Sequence, residues 1–167
     1  MDSKILTAER LRDLLHYDPE TGVFTWRIGA SKRVRAGDIA GFVNGTGYWL
    51  IGVDGRKYRA HRLAWLWVYG AWPSKDLDHI DGCRNNNRIF NLREATISEN
   101  RQNQREARSN NKSSGFLGVT HHKQSNAWMA RIVINGKTIH LGLFKEPEIT
   151  HAAYVSAKRK HHPFCTI

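Results

Sequence analysis

The sequence predicts an α+β chain built of two small units, and three observations predict it. Apolar residues follow helical or alternating spacing only over short stretches; the tight-turn pairs Asp54-Gly55 and Asn135-Gly136 join strand-like segments; and no internal repeat or long low-complexity tract interrupts the order. The 167 residues are enough for one domain of middling size or two small ones, without disulfide or metal staples.

Element by element, Thr7 can N-cap a short helix with Leu11, Leu14 and Leu15 on its apolar face, Leu6 and Leu11 forming a hydrophobic staple, and an end near His16. Asp18-Pro19-Glu20-Thr21-Gly22 is turn chemistry leading into a strand at Val23–Trp26, followed by a basic loop from Ser31 to Arg35. Tyr48–Val53 and Arg56–Ala60 flank Asp54-Gly55 and read as a hairpin. From His61 to Tyr69, Leu63, Leu66 and Trp67 recur at helical spacing, with Gly70 and Pro73 closing the segment and the tryptophans assigned to the core. Ser98 can cap a polar helix reaching about Arg108, and the Ser/Asn/Gly-rich run from Ser109 to Gly115 has linker composition, which puts a boundary at 110–114. Strands at about 116–121, 127–134 and 137–143, then a helix from about Glu146 to Lys160, make a small three-stranded antiparallel sheet packed on one helix.

Charge narrows the function. There are 26 basic and 15 acidic side chains, a net charge of +11. Residues 101–167 carry 11 basic against 3 acidic groups, whereas residues 1–100 carry 15 against 12. A polyanion is the expected partner, gripped mainly by the C-terminal part, although a high pI alone also serves solubility. Cys83 and Cys165 lie far apart without a C-x-x-C pair, so neither a disulfide framework nor a structural zinc site is indicated, and an intracellular setting is expected. No secretory leader or membrane-length apolar run is read, and no membrane partner is expected.

Chemistry concentrates in Leu77-Asp78-His79-Ile80-Asp81-Gly82, Asn85-Asn86-Asn87, Asn91-Leu92-Arg93 and Asn100. Hard oxygen donors beside one imidazole are the parts of a metal-assisted hydrolase. Mg²⁺ prefers carboxylate, carbonyl and water oxygens and often takes only one or two protein groups, which Asp78 and Asn100 could supply. A histidine titrating near neutrality can take a proton from water, which makes His79 the candidate base. Neighbours on a regular strand point to opposite faces, so the strand has to end or twist at His79, and Gly82 makes a turn there feasible. A calcium-loop reading fails: counted from Asp76, the sixth position is Asp81 rather than Gly and the twelfth is Asn87 rather than Glu. His61 and Arg62 could reach phosphate, but a histidine opening a helix is more often packed, and both stay outside the catalytic set.

Over residues 58–108 these motifs resemble the HNH homing-endonuclease family in the form common in phage genomes. The resemblance implies a ββα-metal fold, with His79 as general base, Asp78 as metal ligand, Asn91 orienting the histidine and bracing the loop, and Asn100 as the final metal-site residue. Asparagine stands at position 100, where the family name has a second histidine. An amide oxygen still suits Mg²⁺, or Mn²⁺ as an alternative, but makes Zn²⁺ or Ni²⁺ dependence less favourable.

Gly118-Val119, Ala127–Ile132, Leu141–Phe144 and Ala152-Ala153-Tyr154 resemble the plant ethylene-response-factor (ERF) type of DNA-binding domain over about 114–162. That resemblance implies a sheet lying in the DNA major groove, with Thr120, His122, Arg131, Val133, Thr138 and His140 facing it and Lys123 near phosphate. Trp128 is read as a core aromatic, and the basic run Lys158–His162 as a solvated helix end.

The expected organisation is therefore a nuclease domain at 1–109, a linker at 110–114 and an ERF-like DNA-binding domain at 115–167. The expected activity is metal-dependent cleavage of duplex DNA, in the cytoplasm of a bacterial host, by a monomer or a weak homodimer on DNA. The main rival is a non-catalytic DNA-binding protein or regulator; a second is an RNA-binding accessory module, which lacks the sheet aromatics such modules use.

Overall fold

The computed structural model describes residues 5–29, 31, 33–108 and 110–167. Lys32 of the expected basic loop and Ser109, where the run of linker composition begins, lie outside the described residues. The chain is α+β and divides by packing into two compact units, Met1–Thr96 and Ile97–Ile167.

In the first unit, helix α1 (Ala8–Leu14) begins where Thr7 Oγ1 accepts from Arg10 N at 3.2 Å, with Leu6 and Leu11 buried on either side of the cap. It stops at Leu14 rather than His16. The next residues become strand β1 (Leu15–Tyr17), paired antiparallel with β2 (Phe24–Trp26), and a ladder partner overrides local helical preference. The turn between them is closed by Gly22 N donating to Asp18 O at 2.8 Å and by Thr21 Oγ1 donating to Asp18 Oδ2 at 2.7 Å.

Strands β3 (Phe42–Val43), β4 (Trp49–Val53) and β5 (Arg56–Arg59) form an antiparallel sheet in that order. Asp54 and Gly55 turn the β4–β5 hairpin with φ of 48° and 78°, the left-handed pair a type I′ turn requires. Helix α2 (Ala60–Tyr69) ends on Gly70 at φ 75°. Its Ala60, Leu63, Ala64 and Leu66 join Leu11, Leu15, Tyr17, Phe24, Ile51 and Val53 in one core, against which Trp65 and Trp67 are only partly buried. Each large side chain in this cluster contributes about 1.5–3 kcal/mol of burial. Strands β6 (Asp76–His79) and β7 (Leu92–Ala95) then pair antiparallel, Asp78 opposite Arg93 and His79 opposite Leu92.

The second unit opens with α3 (Ile97–Gln102), six residues long rather than the helix to Arg108 that the sequence predicts, with Ser98 inside it rather than at its cap. Tertiary partners end it early. Thr166 Oγ1 donates to Asn103 Oδ1 at 2.6 Å, and Lys158 Nζ donates to Gln104 O. These same bonds tie the segment after α3 to the C-terminal unit, so packing divides the chain at Thr96/Ile97, while the linker-like run at 110–114 lies within the second unit. Strands β8 (Val119–His122), β9 (Ala127–Ile134) and β10 (Lys137–Phe144) form an antiparallel sheet with β9 central, and Asn135-Gly136 makes its hairpin at φ 50° and 78°. Helix α4 (Pro147–His161) packs on one face, where Ala130 and Ile132 meet Tyr154. Lys158 is buried there rather than solvated, and desolvation pushes its ammonium pKa down. Trp128 is only half-buried, its ring edge-on to His121 at 4.9 Å.

Candidate active site

The β6–β7 hairpin positions the site. His79 is the last residue of β6, and Gly82 N donates back to His79 O at 2.8 Å with Gly82 at φ 74°, so the strand ends in a turn at this position. The loop beyond it is braced by Asn91. Its Oδ1 accepts from Asp81 N at 3.0 Å, and its Nδ2 donates to Asp81 Oδ1 and to Asn86 O, both at 2.9 Å. Asn86 Nδ2 also donates to Asp81 Oδ2 at 2.6 Å. Burial would raise the Asp81 carboxyl, but the bonds from Asn86, Cys83 N and Asn91 outweigh it and hold the pKa below its ordinary value.

Asp78 is buried, and its Oδ2 accepts from Arg93 Nε at 3.0 Å and Nη2 at 2.8 Å. The cross-strand register produces this contact, since Arg93 lies directly opposite Asp78. His79 is also buried, with Nε2 3.4 Å from Asn87 Oδ1. Its ring meets His61 edge-on at 4.9 Å between centroids and lies 6.2 Å from Tyr48. Desolvation pushes the His79 pKa down, and Arg84 adds to the fall, while Asn87, Asp81 and Asp78 oppose it. The net effect favours the neutral imidazole, the form able to accept a proton. His61 is more deeply desolvated, its pKa pushed down to about 3, and its Nδ1 has no hydrogen-bond partner among the described residues.

The bonds described for Asn91 run to the loop, and the amide oxygen of Asn87 lies beside the ring of His79. Nothing in the sequence separates Asn87 from its neighbours Asn85 and Asn86. Arg93 was visible beside Asn91 and Leu92, but its partner follows only from the register. Tyr48 and His61 come from elements distant in sequence. Asn100 lies on α3, at the start of the second unit. As for a metal, a buried carboxylate at Asp78 and a carboxamide at Asn100 are hard oxygen donors whose chemistry fits Mg²⁺ or Mn²⁺. No cluster of three or more His, Cys, Asp or Glu side chains able to hold a metal is found among the described residues.

In the second unit, the sheet register sets Thr120 beside Met129, His140 beside Arg131 and Thr138 beside Val133, all on the face away from α4. His122 follows on the same face, its Nδ1 2.8 Å from Ser125 Oγ, and Lys123 is exposed in the turn after β8. This face is not a bare platform. Thr120, Arg131 and Thr138 line a groove together with Arg101 and Arg108. No described helix is long and apolar enough to cross a membrane.

Residues 58–102 match a family model described as HNH endonuclease. This span contains α2, the β6–β7 hairpin and α3, with Asp78, His79, Asn91 and Asn100. The chain is also similar, at 20% identity and a TM-score of 0.43, to a solved chain described under "DNA binding and cleavage by the HNH homing endonuclease I-HmuI", covering 90% of this chain and 88% of that one. No curated protein matches. The match over residues 58–102 supports an HNH endonuclease domain in this segment, and with it a DNA-cleaving nuclease activity.

Proposed function

We propose that the protein hydrolyses phosphodiester bonds in duplex DNA, with His79 as the general base that takes a proton from the attacking water. The observation that carries this reading is the buried imidazole of His79 at the end of β6, next in sequence to the buried carboxylate of Asp78 and inside the matched HNH segment. Asp78 and Asn100 would hold a divalent metal, Mg²⁺ or Mn²⁺, which when bound stabilises charge on the phosphate and the departing 3′ oxygen. Arg93 orients the Asp78 carboxylate, and Asn91 keeps the loop after His79 in one conformation through its bonds to Asp81 and Asn86. The products carry 5′-phosphate and 3′-hydroxyl ends.

The labour is divided between a nuclease part within 1–109 and an ERF-like DNA-binding part within 115–167. In the latter, Thr120, His122, Lys123, Arg131, Thr138 and His140 contact DNA; the shared face of five of them and the exposure of Lys123 support this reading. One such site per chain favours nicking, or paired action by two copies.

The test is incubation of supercoiled plasmid with wild-type and His79→Ala protein, with Mg²⁺ or with EDTA. Metal-dependent nicking should be lost in His79→Ala while DNA affinity stays within about two-fold of wild type, and Asp78→Ala and Asn100→Ala should weaken the metal dependence. Undiminished cutting by His79→Ala would show that the base is misassigned. DNA binding without cutting, across varied DNA and divalent metals, would favour a non-catalytic regulator.

A further inference from the structure

The first unit carries a basic face that the nuclease chemistry above does not use. In the β3–β4–β5 sheet, Phe42 lies opposite Leu50, Leu50 opposite Arg59, and Gly52 opposite Lys57. Strand alternation therefore sets Phe42, Leu50, Gly52, Lys57 and Arg59 on one face, while Ile51, Val53 and Tyr58 turn to the core side. The first face is outward: Phe42 is 50% exposed, and Gly52, Lys57 and Arg59 are exposed.

The cations on this face are held by aromatic rings. Lys57 Nζ stands 5.6 Å from the Phe42 centroid, and Arg59 Cζ stands 4.5 Å from that of Tyr48. A third cation arrives from the loop after His79, with Arg84 Cζ 5.3 Å from the same Tyr48 ring and Nη1 donating to Thr46 O at 2.8 Å. Tyr48 in turn lies 5.5 Å from His61 and 6.2 Å from His79. Two guanidiniums are thus anchored on the aromatic ring that flanks the candidate base.

Among the described residues, none of the three cations makes an ion pair with a carboxylate. The nearby acids are engaged elsewhere, Asp54 with Arg10 and Asp81 with Asn86 and Asn91. Three positive groups fixed on one face without an acidic partner make a site for an anion. Tyr48 is already covered by guanidiniums and imidazoles, so the groups this face offers a ligand are N–H donors rather than a free ring for base stacking. Such donors suit phosphate oxygens, which carry no sequence information.

We propose that the outward face of β3–β4–β5, together with Arg84, binds the phosphodiester backbone of duplex DNA on either side of the phosphate cut at His79. Its place beside the cut rests on the nuclease reading; its character as a backbone-binding surface does not. The N-terminal unit then holds the DNA at the point of cleavage, in addition to any grip by the C-terminal sheet.

The experiment uses full-length protein in a His79→Ala background, so that binding is read without cutting, and measures the affinity for a duplex of mixed sequence as KCl is raised. Each phosphate that a side chain neutralises adds about 0.9 to the slope of log affinity against log salt, so Lys57→Gln/Arg59→Gln/Arg84→Gln should make the slope shallower by about 2–3. At low salt the affinity should fall at least about ten-fold. Arg56→Gln, which removes an exposed cation on β5 pointing to the other face, should leave the slope unchanged. Arg59→Lys/Arg84→Lys, which keeps the charge, should restore most of the slope and guards against a misfolded triple variant. A triple variant with the parental slope, or Arg56→Gln with an equal loss per charge, overturns the proposal. If the wild-type protein fails to cut plasmid but the slope changes as expected, the backbone surface stands and the nuclease reading fails.

Discussion

His61 is 3% exposed, its ring edge-on to His79, and it shows how the surroundings of one side chain become a property of the protein. Desolvation is the largest influence on it, followed by His79, Arg59 and Arg62, and all of them disfavour the imidazolium, so the pKa falls from an ordinary 6.5 to about 3. Between those values the unfolded chain binds a proton at this position and the folded chain does not. Stability contributed here is therefore complete above about pH 6.5 and declines as the pH falls toward about 3. The slope is about 1.4 kcal/mol per pH unit at most. Replacing His61 with Gln removes the titration, so urea midpoints taken between about pH 7 and about pH 5 should fall less for the variant than for wild type. Identical acid sensitivity of the two proteins would show that His61 is not the group responsible. The packed reading of this histidine was available from its position at a helix start, but its neighbour was not, because His61 and His79 come from separate elements.

At the level of elements, a close approach in the second unit allows a sharp comparison. Gly118 has φ 76°, and a Cβ built there would lie 2.1 Å from the Tyr154 ring, which is buried between α4 and the sheet. Gly115 has nearly the same φ, 72°, but a Cβ there meets nothing within 4 Å. Gly115→Ala should therefore cost only the left-handed backbone strain, about 1–2 kcal/mol. Gly118→Ala adds a collision with a ring enclosed by α4, and should cost more than about 3 kcal/mol. Thermal melts of the two variants check this, and equal losses would mean that Tyr154 moves aside freely. The elements themselves were largely legible. Asp54-Gly55, Asn135-Gly136, Gly70 and Thr7 each mark a turn or cap whose geometry needs that residue type. The short α3 was not legible, because the sequence from Ser98 to Arg108 suits a polar helix and the residues that interrupt it, Lys158 and Thr166, lie far along the chain.

For the whole molecule, net charge is the governing quantity. With 26 basic and 15 acidic groups, the protein should bind duplex DNA with an affinity that falls linearly in log–log form as salt rises. EDTA should stop cutting and leave this binding in place, since phosphate contacts by Lys and Arg need no metal. Filter binding with and without EDTA, beside a nicking assay, tests both halves. A salt-independent affinity would mean that charge is incidental to DNA binding. The linear charge count placed most of the surplus after residue 100, yet a near-neutral stretch can still present a basic face when its acids are paired elsewhere, as Asp54 is with Arg10.

The sequence by itself determined the α+β class, the positions of the hairpins, and the candidate chemistry of Asp78, His79, Asn91 and Asn100, because turn residues and hard-donor motifs act locally and keep their spacing. Only the tertiary structure decided what surrounds them: Arg93 on Asp78, Asn87 and His61 on His79, and the Tyr48 ring joining Arg59 to Arg84. It also decided that Lys158 is buried and that the packing boundary falls at Thr96/Ile97. Strand register, burial and ring contacts depend on which distant segments meet, and that is settled by the free energy of the whole packed unit rather than by neighbours in the chain.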